Sequence, residues 1–265
     1  MEKTKSSFTI HVPLQNNKLL EKALEFINSS REIKTLWKVV NTNAIDRLGM
    51  SDHGPVHYQI VANIGLRLAR ILVKNKVKMS ITENFKMSAE YAELVILLAS
   101  LFHDLGMTVD RDDHEQFSLF MANNLISKTL SFLPAEERII VTSEALHAII
   151  SHRRGGRPIT IEAGIVRVAD ALDMSKGRSR IPYEAGGVNI YSVSAAAIEN
   201  VEIIEGKDKP IQIEIPMNNS AGIFQVDELL KSKLIGSGIE SYFEIKAYIK
   251  GAEKTLVKEF YLKKL

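Results

Sequence analysis

Cysteine is absent from the 265-residue chain. That excludes disulfides, thiolate metal sites and a cysteine nucleophile. Surplus charge is nearly absent as well. The 34 Lys and Arg stand against 32 Asp and Glu, a net charge of +2, so no global field favours a nucleic-acid coat or an anionic membrane. The first residues, MEKTKSSFTIHVP, lack the apolar stretch of a signal peptide. The longest apolar run, around Leu94–Phe102, is too short to span a bilayer. A cytoplasmic protein with no membrane partner is the expectation. Internal repeats and low-complexity segments are missing too. What is there is the composition of a globular protein, 45% hydrophobic and 25% charged. Its length suits one large domain, or a medium domain plus a small one.

Apolar spacing of three and four residues predicts helices over Asn17–Asn28, Ile33–Leu48 and Val56–Val73. Ser88 caps a further expected helix, Ala89–Leu105, and Gly106 stops it. Asp112–Ile126 follows, then a helix with Pro134 in its first turn that runs to about His152. After RRGGRP, Thr160 caps Ile159–Leu172. Beyond IPYEAGG the texture changes. Val188–Tyr191, Val201–Ile204 and Ile211–Ile215 alternate as strands do, with a turn at GKDK. Val226–Leu234 reads as a short helix, and Tyr242–Ile249 with Thr255–Tyr261 as a last hairpin around Lys250–Gly251. The expectation is a mainly α protein, with a helical domain over 1–186 and a small α+β domain of ferredoxin-like order over 187–265.

Six of the seven histidines fall between His53 and His152: His53, His57, His103, His114, His147 and His152. A single histidine in a helical protein is ordinarily a surface residue or a satisfied core residue. Several of them joined by aspartates at helix ends are harder to dismiss. His103–Asp104 closes the apolar run YAELVILLASLF, and Asp170 interrupts an apolar face in VRVADALD. Burying either carboxylate requires a partner or a cation. Imidazole and carboxylate together suit first-row divalent metals.

An upstream histidine, a His-Asp doublet after an apolar helix and a distant aspartate resemble the HD superfamily of metal-dependent phosphohydrolases. The residues are His57 in HYQIV, His103–Asp104 in FHDLGM and Asp170 in VADALD. The likeness covers roughly residues 50 to 180, with 46 residues from His57 to His103 and 66 from Asp104 to Asp170. It implies an all-helical HD core and a divalent ion (Mn, Mg, Ni, Co or Fe) on His57, His103, Asp104 and Asp170. His53 competes with His57, but the family places its ligand four residues before a small core position, and His57 to Val61 fits. His53 then either supports the ligands from behind or faces the substrate, while Asp52 is the plainer helix cap. Branches with more ions imply a second one on His114 and His152, with His147 less well placed. Five residues from His152, His147 does not share its face, and a solvated helical residue is the preferred reading. RRGGRP stands where the cyclic-dinucleotide branch carries glycine-tyrosine-proline, which argues against that activity.

Two basic clusters adjoin these ligands: Arg153, Arg154 and Arg157 after His152, and Lys176, Arg178 and Arg180 after Asp170. Arginine matches phosphate oxygens with a bidentate fork, although a basic loop is ordinarily a solvated face. Arg178 leads as a charge stabiliser, then Lys176 and Arg154, with Arg153 and Arg180 on substrate. Asp104 binds the ion and orients the attacking water. Asp110, Asp113, Glu115 and Glu144 are the acid–base candidates. The resemblance thus implies hydrolysis of a nucleotide or another small phosphate ester by a metal-activated water. The alternative is a nucleotide sensor that keeps the pocket without turnover. Nucleic-acid binding is disfavoured, because no aromatic stacking motif accompanies the basic loops. The oligomeric state stays open, with a homodimer through the exposed tail hairpins as one alternative.

Overall fold

The computed structural model describes residues 8–174 and 190–252. Polar side chains turn the periodic segments into discrete helices by satisfying their first N–H groups. Asn17 Oδ1 accepts from Leu19 N and Leu20 N at 2.9 and 3.2 Å ahead of α1 (Lys18–Ser29). Ser30 accepts from Ile33 N at 3.3 Å for α2 (Arg31–Asn41). Its path continues as a π-helical turn, Thr42–Arg47, so the expected helix Ile33–Leu48 is split between two windings. α3 (Pro55–Lys74) begins on a proline, whose missing N–H is harmless at that position. Asp52 Oδ1 accepts from Gly54 N at 3.0 Å and His57 N at 3.3 Å, as expected of a cap. α4 (Ser80–Phe85) was not foreseen, since its six residues are too few for a periodic signal.

α5 (Ala89–Phe102) lies at the centre. Every residue from Leu94 to Phe102 is buried, and the helix packs against α1, α3, α7 (Ala135–Ser151) and α8 (Ile161–Leu172). A helix that is apolar all round belongs inside a core. Ala89–Thr108 has the length and composition to cross a membrane, and most of it is buried within the protein. Ser88 stands at the start of α5 but makes no capping bond there. Trp37 of α2 donates its indole N–H to Leu101 O at 3.2 Å, which pins the end of α5. The chain then turns into a 3-10 segment, Leu105–Thr108. Gly106 makes this turn possible, because a Cβ there would collide with His114 O. Its N–H donates to Ser118 Oγ of α6 (His114–Thr129) at 2.8 Å. Thr160 caps α8 by accepting from Ala163 N at 3.3 Å.

The C-terminal part opens with α9 (Ile190–Ala197). The strand expected over Val188–Tyr191 is corrected for its described residues, Ile190 and Tyr191, which form the first turn of this helix. The β-like Ile-Tyr pair is overridden by the small residues after it and by Ser194, whose hydroxyl donates back to Ile190 O at 2.5 Å. β1 (Glu202–Glu205) and β2 (Ile211–Met217) are antiparallel, with Ile203 opposite Ile213. Gly206 N donates to Pro210 O at 3.2 Å across the expected turn. A π-helical turn (Gln225–Leu230) leads into α10 (Lys231–Leu234), and β3 (Phe243–Ile249) then runs parallel to β2. The buried face of β2, Ile211, Ile213 and Ile215, joins the same apolar core as the helices. The chain is therefore a helical core followed by a small α+β part. Thr255–Tyr261, the proposed last strand, lies outside the described residues.

Candidate metal centre

Three helices aim four side chains at one point. His57 sits in the first turn of α3, His103 and Asp104 follow α5 directly, and Asp170 lies in the last turn of α8. His57 Nε2 is 3.2 Å from His103 Nε2, 3.4 Å from Asp170 Oδ1 and 3.8 Å from Asp104 Oδ2. His103 Nε2 is 3.3 Å from Asp104 Oδ2 and 3.9 Å from Asp170 Oδ1. Both histidines and Asp104 are buried, and Asp170 is half-buried.

The far side of each ring fixes its tautomer. His57 Nδ1 donates to Asp173 Oδ2 at 2.6 Å, His103 Nδ1 to Ser100 O at 2.9 Å, and His152 Nδ1 to Ile149 O at 2.6 Å. A carbonyl and a carboxylate only accept, so the protons sit on Nδ1, and in the neutral rings the Nε2 atoms present lone pairs. Two such lone pairs face each other across 3.2 Å between His57 and His103. Without a cation they repel. With one, the set is a nitrogen and oxygen donor shell of the kind divalent ions take, whose neighbouring donors sit about 3 Å apart. The Asp173 carboxylate behind His57 also raises the basicity of that imidazole. The donor chemistry therefore fits a divalent ion.

Asp104 has a second face. Its Oδ1 lies 3.1 Å from His114 Nε2 and 3.6 Å from His152 Nε2. His103, Asp104 and His152 form one potential ligand group, and His114, Glu115 and His152 form another. Burial by itself would raise the Asp104 carboxyl. Positive charge beside it holds it well below the usual carboxylate range instead: a protonated His103, with His114 and His152, when no ion is bound, and the ion itself once the Nε2 atoms are free of protons. For Asp170 burial also pushes upward, and the Lys233 ammonium leads the charges that outweigh it. Burial pushes His152 down. It pushes His114 down as well, but Asp104 prevails and His114 is raised.

Comparison with known proteins gives this arrangement a family. The HD domain model matches residues 56–175, a span that holds His57, His103–Asp104 and Asp170. The chain belongs to the HD superfamily. It is also 42% identical over 231 residues to the uncharacterized protein MJ1020 of Methanocaldococcus jannaschii, covering 87% of this chain and 89% of that one. No solved structure matches it. HD proteins are metal-dependent phosphohydrolases, so hydrolytic chemistry at a His/Asp centre is the general assignment.

The HD centre opens into a cavity of about 710 Å³. Asp104, His114, His152 and Asp170 form part of its wall, together with His53, Glu115 and Arg154. His53 thus lines the cavity, its ring 5.9 Å from that of His57. Arg154 borders the cavity with a largely exposed side chain, 3.9 Å from Glu228. Arg153 is not brought to the wall; its carbonyl accepts from Arg167, and its side chain faces solvent. His147 is not brought to the centre either. It is half-buried rather than solvated, and its Nε2 accepts from Ile159 N at 3.0 Å, because a five-residue step turns it away from His152. Glu144 lies apart too: burial raises its carboxyl, and the Glu162 charge adds to this. Asp110 spends Oδ1 on Asp112 N at 3.1 Å, and Asp113 accepts from Gln116 Nε2 at 3.1 Å. Lys176, Arg178 and Arg180 lie outside the described residues.

Two contributors escaped the sequence reading. Asp173 stands inside the quoted VADALD stretch, three residues after Asp170, and that spacing was a usable signal. Lys233 had none. Its Nζ lies 3.2 Å from Asp170 Oδ2 and also donates to His152 O. Arg167 of α8 secures this approach by donating to the carbonyls of Ser151, Arg153, Arg154, Ser232 and Lys233. Those bonds use all five guanidinium N–H groups.

Proposed function

We propose that the protein is a metal-dependent phosphohydrolase acting on a nucleotide or another small phosphate ester. The observation that carries this reading is the pair of Nε2 lone pairs 3.2 Å apart on His57 and His103, each fixed by an acceptor behind it. His57, His103, Asp104 and Asp170 would hold one ion. Asp104, through its other oxygen, would share a second with His114 and His152. An ion held there supplies Lewis-acid polarisation of the phosphoryl group and a lowered pKa for the attacking water. Asp104 fixes the position of that chemistry, because it is buried with an imidazole Nε2 beside each oxygen, 3.3 Å from Oδ2 and 3.1 Å from Oδ1. Glu115 is the acid–base residue in this scheme. Of the four candidates it alone borders the cavity. Arg154 at the rim gathers phosphate charge, and Arg178 and Lys176 retain that role as proposals from the sequence.

The test is phosphate or nucleoside release from a panel of nucleotides and model esters, with Mn²⁺, Mg²⁺, Ni²⁺ or Co²⁺. Asp104→Ala serves as the control. Activity lost in that variant supports the hydrolase. Nucleotide binding without release in the wild type supports the sensor alternative, which draws on the C-terminal residues Tyr191, Gln225 and Leu229 that complete the cavity wall.

A further inference from the structure

Lys233 reaches the centre from the C-terminal part, outside the span matched by the HD model. It stands on α10, a four-residue helix with little intrinsic persistence. Its placement is nonetheless fixed. Arg167, buried in α8, donates Nε–H to the Lys233 carbonyl at 2.7 Å and an Nη2–H to Ser232 O at 3.2 Å. Gly164 of the same helix lets Ser237 O approach so closely that a Cβ would collide with it. The backbone is thus anchored on α8 on both sides of Lys233. The side chain then runs into the cavity with 18% of its surface exposed.

An ammonium has three protons. Among the described residues two are taken, by Asp170 Oδ2 and His152 O, and the head group borders the cavity. Asp170 points its other oxygen, Oδ1, at His57 Nε2. One carboxylate therefore sets a fixed cation beside the histidine cluster. A cation so close to a divalent ion is repelled by it, and for metal binding alone it is counterproductive. An anion lying between the two turns that repulsion into attraction. We propose that Lys233 binds a non-bridging oxygen of the substrate phosphoryl group, so that the C-terminal part completes the phosphate site of the HD centre. This rests on the metal-hydrolase reading.

The experiment is calorimetric titration of the full chain, first with Mn²⁺ and then with inorganic phosphate on the Mn²⁺-loaded protein. Lys233→Met keeps the length of the stem and removes the charge. The expected result has two opposite signs. Phosphate binds about tenfold or more weakly, while Mn²⁺ binds as well as in the wild type or better. Lys233→Arg, which keeps a cation, loses less phosphate affinity than Lys233→Met. Lys231→Met on the same helix, where Lys231 is exposed and paired with Asp227, binds both as the wild type does. Unchanged phosphate affinity in Lys233→Met overturns the proposal. So does a parallel loss of Mn²⁺ and phosphate, the mark of a purely structural lysine. A wild type that binds Mn²⁺ but no phosphate overturns it while leaving the metal reading intact. A wild type that binds neither locates the failure in the metal reading itself.

Discussion

The helical core and the C-terminal part meet at the same cavity and bring opposite chemistry to it. The core supplies buried imidazole nitrogens and carboxylates from the ends of α3, α5 and α8. The C-terminal part supplies a cation, Lys233, carried on a short helix and held in place by one arginine. The core side has its geometry set by packing around α5, in which the residues next to the ligands are buried. The other side depends on a few backbone hydrogen bonds. Ion binding and phosphate handling are therefore expected to separate on mutation, although the groups responsible almost touch.

The largest effect expected from breaking the core side is that of Asp104→Ala. It removes both oxygens that link the two histidine pairs, and phosphate release in a metal-supplemented assay should fall to background. His147→Ala, whose ring lies away from the centre, should keep full activity in the same assay. Cutting the link between the two regions comes next. Arg167→Leu leaves five carbonyls without their donor and should cost about 3–4 kcal/mol. A thermal melt would show this as a lower Tm. Asp173→Asn keeps the shape but removes the carboxylate behind His57. It should weaken Mn²⁺ binding by about 10- to 100-fold, measured by titration, with little change in Tm.

The smallest effect separates the centre from the rest of the core. Glu144 has a raised carboxyl pKa, from burial first and the Glu162 charge second, and one buried oxygen has no hydrogen-bond partner among the described residues. A carboxyl whose folded pKa exceeds its unfolded value favours the folded state while protonated. That contribution is complete below the unfolded pKa and is lost as the pH rises through the folded one. Glu144→Gln should therefore raise the Tm near neutral pH. Its advantage should fade as the pH drops toward the ordinary glutamate range.

The same division governs what the sequence disclosed. The helices α3, α5 and α8 and the polar residues at their ends were legible, because apolar periodicity places each helix and a polar residue breaks the pattern at its end. His57, His103, Asp104 and Asp170 are all of this kind; the resemblance to the HD superfamily singled them out as a set, and the fold brings them together. The start of α9 was misread, since Ile190 and Tyr191 favour a strand locally while the serines and alanines that follow carry the helix. Lys233 was invisible for another reason. A lysine in the stretch KSK reads as solvated surface, and only the fold brings it to Asp170 across a sequence separation of 63 residues. Its anchor, Arg167, likewise read as one more residue of an amphipathic helix.

The most direct test of the central claim is a thermal melt of the wild type and of His103→Ala, each with and without Mn²⁺. An ion that binds the folded state raises its Tm by mass action. The account predicts a clear rise for the wild type that is lost in His103→Ala, because the facing lone pairs of His57 and His103 are what the ion satisfies. A wild-type Tm indifferent to Mn²⁺, or a full rise retained in His103→Ala, would contradict it.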